Sequence, residues 1–198
     1  MRLTILVLLF DLAFAGTARA EPTPLPSWSH TRALTRGAAE LLRATAERSA
    51  IVTSLLAVIE RSNLIVYLTD AGPSGAGGPK SHLGFLSLDS TTRYLLIRID
   101  RWRLGPPEAM VALGHELQHA VEVSQAPEVT NAAALVELYR RIGWEGERDR
   151  FETEAARVIS NRVRSQLFTS ALAASPATRW SEAREAASTT LPRAPVSR

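Results

Sequence analysis

The chain has 198 residues, a formal net charge of +3 at neutral pH, 45% hydrophobic residues and no cysteine, the length and composition of one globular domain. Without cysteine, disulfides, thiolate metal sites and lipidated cysteine are all excluded, so any metal has to be held by imidazole and carboxylate. The 23 Lys and Arg residues are interspersed with 20 acids, and no basic block or aromatic–basic alternation marks a nucleic-acid surface.

The first 20 residues have the layout of a cleavable secretory signal peptide. Arg2 is the charged start, residues 3–14 form an apolar run, and Ala18-Arg19-Ala20 is an A-x-A cleavage site before Glu21. The run is too short to span a bilayer and Asp11 interrupts it, so the expected location is secreted or periplasmic, with no stable membrane insertion after cleavage. Residues 21–29 (EPTPLPSWS) read as a Pro-rich linker. One domain is expected over residues 30–170, followed by an Ala/Ser/Thr/Pro-rich, disordered tail over 171–198.

Within the domain, His30 reads as a capping or surface residue ahead of the first helix. Residues 31–61 carry helical spacing through Leu34, Ala38, Leu41 and Leu42, then Ile51, Leu55, Leu56 and Ile59, which predicts two helices with a break near Ser49. Residues 63–69 (NLIVYLT) predict a buried strand, and residues 71–80 (AGPSGAGGPK) a loop without the pattern of a phosphate cradle. His82 precedes a hairpin of residues 83–88 and 93–100, in which Leu95, Ile97 and Ile99 make one firmly apolar face. Gly105-Pro106-Pro107-Glu108 opens a helix that ends before Pro127. Thr130 is the expected N-cap of a helix over 131–142, residues 143–150 (GWEGERDR) a polar loop, and 151–168 the last strong helix.

The helix after Pro107 carries the chemistry. Within VALGHELQHAVEV, His115 and His119 are four residues apart and present two imidazoles on one face. Glu116 is displaced by about 100° around the axis, which lets it reach an open coordination position without being a ligand. Val111, Leu113, Leu117, Ala120 and Val121 predict that most of this helix is buried, and buried imidazoles and a carboxylate need a partner such as a metal ion.

This H-E-x-x-H segment resembles the active-site helix of the zincin metallopeptidases. The residues after His119, AVEVSQ, lack the further Gly and His of metzincins, so the resemblance points to the gluzincin, or thermolysin-like, branch, whose third ligand is a Glu on a later helix. It implies an α+β, zincin-like fold, mostly helical, with a small three-stranded antiparallel sheet beside the metal helix. It also implies Zn²⁺ on His115, His119 and a later Glu, Glu116 as the general base on the zinc-bound water, and a peptide or protein substrate. By the same analogy the strand 93–100 borders the cleft and pairs with an extended peptide.

Glu152 and Glu154 compete for the third position. On a helix over 151–168, Glu152 shares the apolar face of Ala155, Ala156, Ile159 and Val163, whereas Glu154 shares a polar strip with Val158, Asn161 and Ser165, so Glu152 is the choice. Tyr139 or an Arg near Glu152 is the expected transition-state donor. The thermolysin-like pattern also places an Asp after the ligand Glu to orient a His, and none follows Glu152 at the required place. The competing readings are a non-catalytic zinc-binding module and a metal-free helical interaction protein.

Overall fold

The computed structural model describes residues 28–70, 79–145 and 151–173. The expected signal peptide, most of the linker and the tail from residue 174 lie outside those residues. The described elements are mixed α and β, and among them no helix is long and apolar enough to cross a membrane.

The chain enters through β1 (Thr31–Ala33), a short strand where sequence spacing predicts the start of a helix. Three residues are too few to show alternation, and parallel pairing with β2 (Leu64–Asp70) makes them a strand. Between the two lie α1 (Arg36–Arg48) and α2 (Ala50–Glu60). Ser49 is the break: it ends α1, and its side chain accepts from the Val52 N–H to cap α2.

After β2 come β3 (Ser81–Asp89) and β4 (Thr92–Ile99), the expected hairpin. The sheet has four strands in the order β1-β2-β4-β3, with β1–β2 and β2–β4 parallel and β3–β4 antiparallel. The expected three-stranded antiparallel sheet is therefore corrected to a four-stranded mixed one. Its cause is that β4 rather than β3 lies against β2. Among the described residues, that order leaves β3, not the strand 93–100, as the edge next to the cleft.

Strand alternation sorts the two faces. Val66, Leu68, Leu95 and Ile97 are fully buried and face the helices, while Tyr67 and Tyr94 stack on the other side. The short α3 (Arg101–Leu104) leads into α4 (Pro106–Ser124), whose N-cap Gly105 has φ +71°, a backbone state open chiefly to glycine. Helix α4 is buried on nearly all sides and touches α1, α2, α3, α6, β3 and β4. Its C-terminal end is held by Arg93 from β4, whose guanidinium donates to Val123 O at 3.0 Å, Ala126 O at 2.7 Å and Asn63 Oδ1 at 2.7 Å.

Helix α5 (Ala132–Ile142) is capped by Asn131, one residue later than expected. It is followed by a two-strand ribbon, β5 (Trp144–Glu145) and β6 (Phe151–Glu152), and then by α6 (Glu154–Ala173). Helix α6 lies close against α4 because Gly114 has no side chain, and a Cβ there would stand 2.8 Å from Val163 Cγ2. That contact sits one residue before His115.

Candidate metal centre

Helix α4 carries His115 and His119 one turn apart, with ring centroids 4.7 Å apart and planes at 80°. Their Nε2 atoms approach to 3.0 Å. Glu152 arrives from β6, and its Oε1 lies 2.9 Å from His115 Nε2. One ligand atom from each of the three residues falls within 4.8 Å of the other two. The structure thus brings Glu152 to the imidazoles by a route other than the expected one. Glu152 precedes α6 on a strand, so the helical-face argument that selected it does not describe its setting. Glu154 opens α6 and pairs on the surface with Arg157.

Each imidazole has a hydrogen-bond partner at Nδ1. With its single proton on Ala156 O at 3.0 Å, the Ser160 hydroxyl accepts from a protonated His115 Nδ1, also at 3.0 Å. His119 Nδ1 faces Glu122 Oε2 at 2.8 Å, and an ionised carboxylate can only accept. In that tautomer both rings are protonated at Nδ1 and present lone pairs at Nε2, the form in which imidazole ligates a metal. Two ring nitrogens and a carboxylate oxygen then converge within 4.8 Å of one another.

Two imidazoles and a carboxylate are donors of the kind that hold Zn²⁺. Ligand atoms around a tetrahedral Zn²⁺ sit roughly 3.4 Å apart, and these donors bracket that spacing, with two separations of 2.9 and 3.0 Å and all three atoms within 4.8 Å of one another. The other possible occupant is a proton on His115. Burial pushes the His115 imidazole down, but the hydrogen bond to Glu152 and the charges of Glu116, Glu152 and Glu122 outweigh it and raise its pKa above 6.5.

Glu116 is 4% exposed and lines a cleft of about 710 Å³ together with His115, His119 and Glu152. The lining also includes the apolar or aromatic Leu135, Tyr139 and Phe151, and Ser81 and Leu83 of the β3 edge. Tyr139 does not serve as a free donor here, because its hydroxyl donates to His119 O at 3.3 Å and its ring packs edge-on against the His119 imidazole. Burial first, then the charges of Glu122 and Glu116, raise the Tyr139 pKa well above 10.0 and keep that proton in place. Arg157 is paired with Glu154, and Arg164 lines the cleft.

Three contributors were not visible in the sequence reading. Glu122 carried a signal, since it follows His119 by three residues on the same helix face. Ser160 and Thr153 did not, because their contacts with His115 and Glu122 depend on how α6 docks. His82, expected just ahead of the hairpin, lies at the start of β3 and lines the cleft, with its Nδ1 buried and without a hydrogen-bond partner. His30 stays outside the site, its N–H donating to Glu60 Oε2 at 3.1 Å.

Comparison of the chain with protein-family models, with curated proteins and with solved structures finds no match.

Proposed function

We propose that this chain is a zinc-dependent metallopeptidase of zincin-like, gluzincin-type architecture, secreted or periplasmic, that hydrolyses peptide bonds in an extended substrate. The observation that carries the reading is the convergence of one ligand atom each from His115, His119 and Glu152, residues that line a single cleft. Zn²⁺, when bound there, supplies a Lewis acid that brings the pKa of coordinated water toward neutrality.

The chain's own residues account for the rest. His115 and His119 offer Nε2, because Ser160 and Glu122 hold Nδ1. Glu116 lies next to one ligand in sequence but outside the ligand cluster, and its carboxylate accepts a proton from water and returns it to the leaving amine. The apolar Leu135 and Phe151 of the lining exclude water and receive a side chain. The edge strand β3 offers backbone groups to an extended peptide, in place of the strand expected from sequence.

Glu116 also favours catalysis over a purely structural zinc site, since a closed site has no use for a buried carboxylate beside the metal and facing the cleft. The test is Glu116→Gln: the variant is expected to keep wild-type zinc content while peptidase activity on a mixed peptide library falls at least 100-fold. Wild-type cleavage by that variant would refute the role given to Glu116.

A further inference from the structure

Glu122 makes two contacts that serve different parts of the site. Its Oε2 holds His119 Nδ1 at 2.8 Å, and its Oε1 accepts from Thr153 Oγ1 at 2.7 Å. Thr153 directly follows Glu152, and its hydroxyl oxygen also accepts from Ala156 N at 3.1 Å, at the start of α6. Glu122 and Thr153 are 9% and 2% exposed. A carboxylate so enclosed is costly unless its oxygens are matched, and these two contacts match one each.

We infer that Glu122 is a positioning residue that joins the two halves of the metal site, fixing His119 with one oxygen and anchoring the segment that carries Glu152 with the other. The inference rests on the metal reading above. His115 and His119 belong to one rigid helix, so their spacing is set by α4 alone. Glu152 belongs to a two-residue strand on a ribbon, so its distance from the imidazoles depends on what ties that ribbon to α4. Thr153 to Glu122 is one such tie, and it lies within one residue of the ligand. The carboxylate that orients a ligand histidine is thus carried by the metal helix itself, which explains why none is needed after Glu152.

Thr153 also caps α6, so its removal has a structural effect that must be separated from the proposed one. The experiment measures zinc affinity of the full chain by chelator competition, and the visible absorption of the Co²⁺-loaded protein, for wild type, Glu122→Gln, Thr153→Val and Thr153→Ser. Thr153→Val is expected to weaken zinc binding about 10- to 100-fold and to alter the cobalt spectrum, and Thr153→Ser, which restores the hydroxyl, to recover both. Glu122→Gln is expected to weaken binding, because an amide has one acceptor oxygen and cannot accept from both His119 and Thr153. If Thr153→Val only lowers the melting temperature, with affinity and spectrum unchanged, the hydroxyl is a helix cap and the inference is overturned. If wild type itself takes up no zinc, the metal reading fails instead, so the two failures are distinguishable.

Discussion

The sharpest structural prediction concerns a residue with no chemistry. Gly143 links α5 to the ribbon that carries Glu152, and a Cβ there would stand 2.2 Å from Glu152 O and 3.1 Å from its carbonyl carbon. The backbone at Gly143 has φ −136° and ψ −158°, which alanine adopts without strain, so the consequence of Gly143→Ala is purely one of space. A carbon–oxygen contact settles near 3.3 Å, and the ribbon therefore has to retreat by roughly 1 Å. The atom struck is backbone, so no rotamer change can absorb the shift. Zinc–carboxylate bonds span only about 2.0–2.2 Å, and a displacement of that size takes Glu152 out of reach. Zinc affinity is expected to fall about 10- to 100-fold, equivalent to roughly 1.4–2.7 kcal/mol, in competition against a chromophoric chelator. Gly84→Ala is the control, because a Cβ there meets only Leu96 O at 4.0 Å. Unchanged affinity in Gly143→Ala would refute the claim that Glu152's position governs binding.

Further predictions address the two acids, the core and the pH response. Glu152→Gln lowers zinc affinity, whereas Glu154→Gln, which only breaks an exposed pair with Arg157, leaves it unchanged in the same competition assay. Arg93→Met strips donors from the buried Val123 O and Ala126 O and from the more exposed Asn63 Oδ1, and urea unfolding should register a loss of about 2–6 kcal/mol, since each of the two unsatisfied buried acceptors costs about 1–3 kcal/mol. His82 has its pKa lowered below 6.5, by burial and by Arg98 against an opposing pull from Glu116. The unfolded chain then binds the proton more readily than the folded one. Folded stability is fully present above pH 6.5 and declines as pH falls toward the lowered value. His82→Gln should flatten that part of the urea-derived stability curve, and an identical slope in wild type and variant would show that His82 does not titrate in this way.

How much of this was legible in the sequence follows from which interactions are local. The H-E-x-x-H pair depends only on helix periodicity, and the structure places both imidazoles together as that spacing requires. The break at Ser49 and the hairpin were likewise written in nearby residues. Sheet order was not, because nothing in residues 63–99 distinguishes β4 from β3 as the neighbour of β2. β1 was hidden for a related reason: Thr31–Ala33 is a strand only because β2 offers a parallel edge. Glu152 was selected on a helical face that does not exist, yet the same apolar register reflects the burial of Ala156 and Val163 on α6, which turns the chain just upstream toward α4. Glu122 was the missed opportunity. Its place one turn beyond His119, on a helix with little exposed surface, already called for a buried partner.

The central claim is that one ligand atom each from His115, His119 and Glu152 holds a divalent cation in the cleft. The most direct measurement is zinc content of the full, folded chain after dialysis at neutral pH against a weak chelator, alongside His115→Ala, His119→Ala and Glu152→Ala. The account predicts one zinc per wild-type chain, with none retained by either histidine variant and a reduced share by the glutamate variant. A folded wild-type chain that retains no zinc, or histidine variants that retain it fully, would contradict it.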